Sequence, residues 1–255
     1  MKLVVLGCGT SSGVPRIGGD WGACDPADPR NRRTRASVLV QSETMNILVD
    51  TGPDMREQLL SASVARIDAV LWTHEHADHT HGIDDLRQIF HLRHEPVPCY
   101  ARQRTLESLE RRFRYVFHGR WGYPPSATIA VLEDEMAIGD LRVRTVDQPH
   151  GGITSSGFRF EADGVSVGYS TDFHEVTQEM VEMFAGVDVW IVDALRRAPH
   201  PTHANLAMAL DAIGRIKPKR AILTHMDQSM DYASLAAELP SGVEPGHDGL
   251  EVVLS

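Results

Sequence analysis

His74-Glu75-His76-Ala77-Asp78-His79 stands directly behind the apolar run 68–73, Asp-Ala-Val-Leu-Trp-Thr. An apolar run that ends abruptly in four imidazole and carboxylate donors reads as a strand opening into a ligand loop. Alternate residues leaving a strand point to the same side, so His74 and His76 grip one ion while Asp78 and His79 turn toward a second. Imidazole and carboxylate donors without thiolates suit Zn²⁺, Mn²⁺ or Fe²⁺. The expectation is two divalent metal ions per chain, Zn²⁺ foremost and Mn²⁺ after it.

Each ion still needs donors, and other strand ends offer them. The run 141–147 leads into His150, the run 165–171 into Asp172, and Arg220–Thr224 into His225. Taken singly, His150 reads as a loop residue, Asp172 as a helix N-cap and His225 as a buried polar group. Behind the HxHxDH motif they read together as the missing donors of a metal centre.

Further β-branched runs at Lys2–Gly7, Ser37–Gln41, 46–50 and 187–193 predict more strands. Asp163-Gly164 between 157–161 and 165–169 predicts a hairpin turn. Helical spacing over 54–62, 84–91, 104–116, 175–185, 205–216 and Tyr232–Glu238 places helices between the strands. The pattern is mixed α/β, with one domain over 1–255. The stretch 8–35, holding Arg30, Arg32, Arg33 and Arg35, reads as an ordered surface loop with a solvated, ion-paired face.

Composition narrows the function. In 255 residues, 42% hydrophobic and 24% charged, a large core is within reach, which excludes a disordered chain. Acidic residues outnumber basic ones by 35 to 25, a net charge of -10, so the whole chain repels nucleic acid and anionic membranes at long range. Cys8, Cys24 and Cys99 form neither a disulfide framework nor a metal knuckle, and the apolar run 3–6 is too short for a secretory segment. A cytoplasmic location is expected.

HxHxDH followed by separate His, Asp and His donors resembles the metallo-β-lactamase superfamily. That resemblance implies a four-layer αββα sandwich with a dinuclear site at one edge. Carried over, His74, His76 and His150 bind the first ion, Asp78, His79 and His225 the second, and Asp172 bridges them, with a metal-bridging hydroxide as nucleophile. The opening Gly7-Cys8-Gly9-Thr10-Ser11-Ser12-Gly13-Val14-Pro15 and the segment His203-Ala204-Asn205 resemble the phosphodiesterase branch, which includes phosphoribosyl cyclic phosphodiesterases and tRNA 3′-end-processing endonucleases. His203 matches the residue thought to protonate the leaving oxygen there, with Asn205 at the start of the following helix. His200 is the second candidate for that role.

Two departures stand out. The segment 21–25 keeps a single cysteine where the cyclic phosphodiesterases hold a structural zinc, and no Gly-rich basic arm for clasping tRNA is present. The expected activity is therefore hydrolysis of phosphodiester bonds in a small anionic, nucleotide-like or cyclic ribose phosphate. The alternatives are a tRNA-processing type of endonuclease, and a non-hydrolytic oxygenase or cofactor-pathway binding protein. No membrane partner is expected, large nucleic acid is disfavoured, and a homodimer stays open. The arginine-dense stretch 85–125 reads as a charged outer helix or an anion-binding face, and the Gly9–Gly13 turn either as a tight strand end or as a device bringing Ser11 or Ser12 to an anion.

Overall fold

A computed structural model describes residues 1–255. The first half of the chain runs β1 (Lys2–Gly7), β2 (Ser37–Gln41), β3 (Asn46–Val49), α1 (Met55–Ser61), β4 (Ala69–Leu71) and α2 (Ala77–Thr80). It continues through α3 (Leu86–Arg93), β5 (Val97–Ala101), α4 (Gln103–Arg112), α5 (Arg114–His118) and β6 (Ala127–Val131). The second half runs β7 (Glu135–Ile138), β8 (Leu141–His150), β9 (Ile153–Ala162), β10 (Val165–Ser170), α6 (Gln178–Phe184) and β11 (Val189–Asp193). It closes with α7 (Leu206–Ile216), β12 (Arg220–Thr224), α8 (Tyr232–Glu238), β13 (Val243–Pro245) and β14 (Leu250–Val253).

The strands form two seven-stranded sheets, ordered β14-β1-β2-β3-β4-β5-β6 and β13-β12-β11-β10-β9-β8-β7. Each sheet is antiparallel at one side and parallel at the other: β3 to β6 run parallel, as do β10 to β13. Parallel strands deliver their carboxyl ends to one edge, where ligand sites of α/β sheets collect.

Side-chain alternation explains the layering. Val38 and Val40 face the second sheet, packing in one core with Phe158, Phe160, Val167 and Ile191, while Leu39 between them packs outward with the helices α1 and α3 to α5. In the second sheet Ile191 faces inward, and Trp190 and Val192 pack outward under α6 and α7. Both faces of both sheets are buried, so the central strands read as continuous apolar runs instead of alternating ones. The result is the four-layer αββα sandwich.

Local differences from expectation have local causes. The helix predicted over 104–116 is two, because Phe113 leaves the helical region at φ -123° and ψ 33°. The helix predicted from 175 starts at Gln178, where the Thr177 hydroxyl caps the Met180 N–H. The strand predicted to Asp50 stops at Val49, and Asp50 turns the chain at φ 67°. In the loop 8–35, Arg33 is 2% exposed: its guanidinium donates to the Met230 and Asp227 carbonyls and to Asn31 Oδ1, and lies 3.8 Å from Cys24 Sγ. A buried cationic side chain thus ties this loop to 227–230. No helix is long and apolar enough to cross a membrane.

Candidate metal centre

Strand ends from both sheets converge on one cluster. β4 leads into Thr73 and the HxHxDH loop, β8 ends on His150, β10 leads into Asp172 and β12 into His225. Asp172 and His225 leave their strands in the left-handed region, φ 58° each, as Asp50 does after β3. Three non-glycine residues in that conformation at one edge mark a place where the surroundings hold the backbone in a costly geometry. Gly52 is needed beside them, since a Cβ there would fall 2.4 Å from the Asp78 carbonyl.

Asp172, 1% exposed, divides its two oxygens between two sets of donors. Its Oδ2 lies 3.7 Å from His74 Nε2 and 3.5 Å from His150 Nε2; its Oδ1 lies 3.3 Å from His79 Nε2 and 3.5 Å from His225 Nε2. His76 Nδ1 completes the first set, 2.9 Å from His74 Nε2 and 3.2 Å from His150 Nε2. Asp78 Oδ2 completes the second, 3.4 Å from His79 Nε2 and 3.5 Å from His225 Nε2.

The outer nitrogens decide what the inner ones carry. His150 Nδ1 donates to the Thr202 carbonyl at 2.8 Å, and His79 Nδ1 to Asp50 Oδ2 at 2.6 Å. Thr73 Oγ1 donates to Asp50 Oδ2, so it accepts from His74 Nδ1 at 3.0 Å. In the neutral rings, then, the Nε2 lone pairs of His74, His79 and His150 aim inward. His79 Nε2 and His225 Nε2 are buried without any hydrogen-bond partner. Nitrogen and carboxylate donors converging at such distances fit divalent cations, and the orienting contacts are of the kind metal-binding histidines have. His74, His76, His150 and Asp172 can hold one ion; Asp78, His79 and His225, with the other Asp172 oxygen, can hold a second.

The field points the same way. Burial pulls His79 and His225 down, but the Asp172 and Asp78 carboxylates outweigh it, raising His79 well above its usual value and His225 to about 9. Burial lowers His74, helped by the neighbouring His79 charge, and lowers His150 against the pull of Asp172. Desolvation opposes ionisation of Asp172 and Asp78, yet the surrounding histidines hold both carboxyls well below the usual range. This edge of the molecule attracts positive charge.

His203 stands at the rim, 13% exposed at its side chain, stacked on His225 with ring centroids 4.8 Å apart. Its Nδ1 lies 3.1 Å from Asp193 Oδ2, an oxygen that also accepts from the Asp172 N–H. His200 stands one ring further out, where its Nδ1 accepts from the Thr202 N–H. All seven expected donors converge on one cluster, with His76, Asp78, His150, Asp172 and His203 lining the cleft and His74, His79 and His225 buried beneath it, whereas His200 does not reach the carboxylates. Asp50 and Asp193 were not singled out from the sequence; both end predicted strands, 46–50 and 187–193, so the strand-exit rule that selected Asp172 applied to them too. The cleft above the cluster encloses about 450 Å³ and is lined by Ser11, Asp78, His150, Asp172, Thr202 and His203, among others. Two of the arginines of 85–125 are spent on structure: Arg93 on the Ile67 carbonyl and Asp68, and Arg102 on Asp134 and Asp147.

A family model described as the beta-lactamase superfamily domain matches residues 45–226, and the chain belongs to that superfamily. The solved structure described as a new diphosphatase from the PhnP family is 36% identical, with a TM-score of 0.90 over 98% of this chain and 96% of that one. A curated octanoyltransferase of Porphyromonas gingivalis (strain ATCC BAA-308 / W83) is 33% identical over 264 residues, covering 100% of this chain and 52% of that protein. Zn(2+)-bound PqqB from Methylobacterium extorquens shares the fold at 21% identity and a TM-score of 0.78, over 100% of both chains. The chain spans about half the length of the first curated relatives it matches, 52% and 57%.

Proposed function

We propose that the chain is a dinuclear metal-dependent phosphodiesterase, cleaving a phosphorus–oxygen bond of a doubly substituted phosphate in a small nucleotide-like or cyclic ribose phosphate. The observation that carries this is Asp172, one carboxylate whose two oxygens face two separate donor sets. The likeness to a PhnP-family diphosphatase supports the substrate class, because a diphosphate also presents a phosphorus bridged to a second group. When bound, two divalent ions supply Lewis acidity, lower the pKa of water toward about 7 and neutralise charge on the reacting phosphoryl group.

The chain's own residues do the rest. Asp50 fixes the His79 tautomer and Thr202 that of His150, so the donor rings need no reorientation. Asp193 holds His203 by Nδ1, which leaves Nε2 for the cleft, in place to protonate a departing alkoxide. The size of the cleft and the net charge of -10 both favour a small anion over tRNA. A poised proton donor weighs against a pure binding role. Acyl transfer through a thiolate finds no support in this chain: Cys8, Cys24 and Cys99 are buried, and burial pushes their thiols up.

Substrate ranking tests the class. Bis-p-nitrophenyl phosphate and 2′,3′-cyclic nucleotides are expected to be hydrolysed faster than p-nitrophenyl phosphate, a chromogenic lactam or an acyl thioester. Preference for any of the last three overturns the phosphodiesterase reading.

Asp50 gives a separate test of the metal assignment. Asp50→Asn keeps the shape but loses the carboxylate behind His79, and is expected to weaken the ion held by Asp78, His79 and His225 by roughly 10–100-fold. Chelator competition measures this, with the ion on His74, His76 and His150 retained longer. Equal affinity of both ions in variant and native protein would remove Asp50 from that role.

A further inference from the structure

Within the arginine-dense stretch 85–125, two guanidinium groups have no carboxylate partner. The Arg87 Cζ lies 5.0 Å from the Tyr123 ring centroid and the Arg120 Cζ 4.0 Å from that of Trp121, and neither side chain makes a hydrogen bond or an ion pair. Both line a surface cavity of about 570 Å³ between α3, α5 and the turn that follows α5, which shares no residue with the cleft above the metal cluster. Phe90, Val116 and Pro124 give it apolar walls. Its one carboxylate, Asp84, already accepts from the Tyr115 hydroxyl at 2.5 Å. In a chain of net charge -10, this local reversal favours an anion.

The turn adds a second observation. Arg120 and Tyr123 close a two-residue hairpin turn, each main-chain N–H donating to the other's carbonyl, at 3.1 and 3.0 Å. Trp121 and Gly122 at its tip have φ 51° and 85°. A turn with positive φ at both central residues takes Asn or Asp followed by Gly at little cost, whereas a bulky tryptophan is strained there. Burial does not offset the strain, because Trp121 is 83% exposed. The turn is nonetheless braced: a Cβ on Gly119 would fall 2.2 Å from the Tyr123 carbonyl oxygen, and the Ser126 N–H donates to the Val116 carbonyl at 2.8 Å. A strained residue held on a braced turn, with its indole in solvent, marks a place for a ligand. Arg120 covers one face of that indole and leaves the other open to a stacked ring.

We propose that this cavity binds a nucleotide, with its base stacked on Trp121 and its phosphate held by Arg87 and Arg120. A planar ring joined to a phosphate is the ligand chemistry that uses an open aromatic face and free guanidinium donors together. The volume suits one nucleotide, and the net charge of -10 disfavours a polymer of them. The site stands apart from the phosphodiesterase reading, since none of its residues is a metal donor.

Adenosine 5′-monophosphate titrated into the metal-loaded full chain tests the site. Trp72 and Trp190 are fully buried, so a base stacked on Trp121 is expected to quench the exposed part of the tryptophan fluorescence. By calorimetry the nucleotide is expected to bind at least roughly tenfold more tightly than adenosine or inorganic phosphate alone. The double variant Arg87→Gln/Arg120→Gln is expected to weaken it by about 10–100-fold, the range for loss of charged hydrogen bonds. Trp121→Asn is expected to weaken it roughly tenfold, as for one lost stacking contact, and to raise the melting temperature because asparagine accepts the positive φ. Affinity untouched by both variants places the nucleotide elsewhere, the metal cluster included, and overturns the site. Inorganic phosphate bound as tightly as the nucleotide overturns the base platform, and so does a melting temperature that falls with Trp121→Asn, which would make the indole a packing residue. A native chain that the nucleotide does not quench, and whose gel-filtration volume shifts with Trp121→Asn, makes this face a contact between two copies and overturns the nucleotide assignment.

Discussion

Asp172→Ala is expected to strip the purified protein of both ions, from about two per chain to less than one, since seven donors exceed what one tetrahedral site uses and the lost carboxylate serves both halves. The effect should exceed the roughly 10–100-fold weakening that loss of an outer partner such as Asp50 brings. Hydrolysis falls with the metal. Asp172→Asn sharpens the test, because its amide offers one acceptor oxygen where the carboxylate offers two. With Oδ1 facing His79 and His225 and Oδ2 facing His74 and His150, the Asn variant should keep about one ion, the half that its oxygen still faces. Elemental analysis after gel filtration, with circular dichroism to show that the variants fold, reads the outcome. A native chain with one ion, or an Ala variant with an unchanged content, would overturn the bridging role.

The donor cluster was legible because its members are either adjacent in sequence or placed by one rule. His74, His76, Asp78 and His79 share a loop, and His150, Asp172 and His225 each close or follow an apolar strand. Asp50 and Asp193 obey the same rule but carry no local mark, as a carboxylate at a strand end has many ordinary uses. Tautomer control by Asp50 appears only when His79, 29 residues away, is folded against it.

The strands that the sequence did not disclose are mostly edges. β6, β7, β13 and β14 terminate the two sheets, pair on one side only and run three to five residues, so their apolar signal is weak. β5 is internal, but Pro98 argues against a central strand. In the structure the pairing with β4 is confined to Cys99 and Tyr100, and Pro98 is paired on one side only, opposite Thr128 of β6. Fold class survived these omissions because the central strands, buried on both faces, carry the strongest apolar runs.

His203→Ala is expected to keep both ions, since the metal donors are complete without it and its Nδ1 is turned to Asp193 at 3.1 Å. Turnover of diesters with poor, alkoxide-like leaving groups should fall by roughly 10²–10⁴-fold, the contribution of a positioned general acid. Activated aryl esters, whose leaving groups depart without a proton, should lose far less. The contrast separates the role from two others: loss of metal would make His203 a support for the ligands, and equal slowing of both substrate types would make it a phosphate binder. Asp193→Asn keeps the shape behind Nδ1 but loses the carboxylate that holds the ring, so it too should keep both ions while slowing diesters with poor leaving groups more than activated ones. Equal slowing of both substrate types, or a His200→Ala variant with the larger leaving-group dependence, would move the proton donor away from His203.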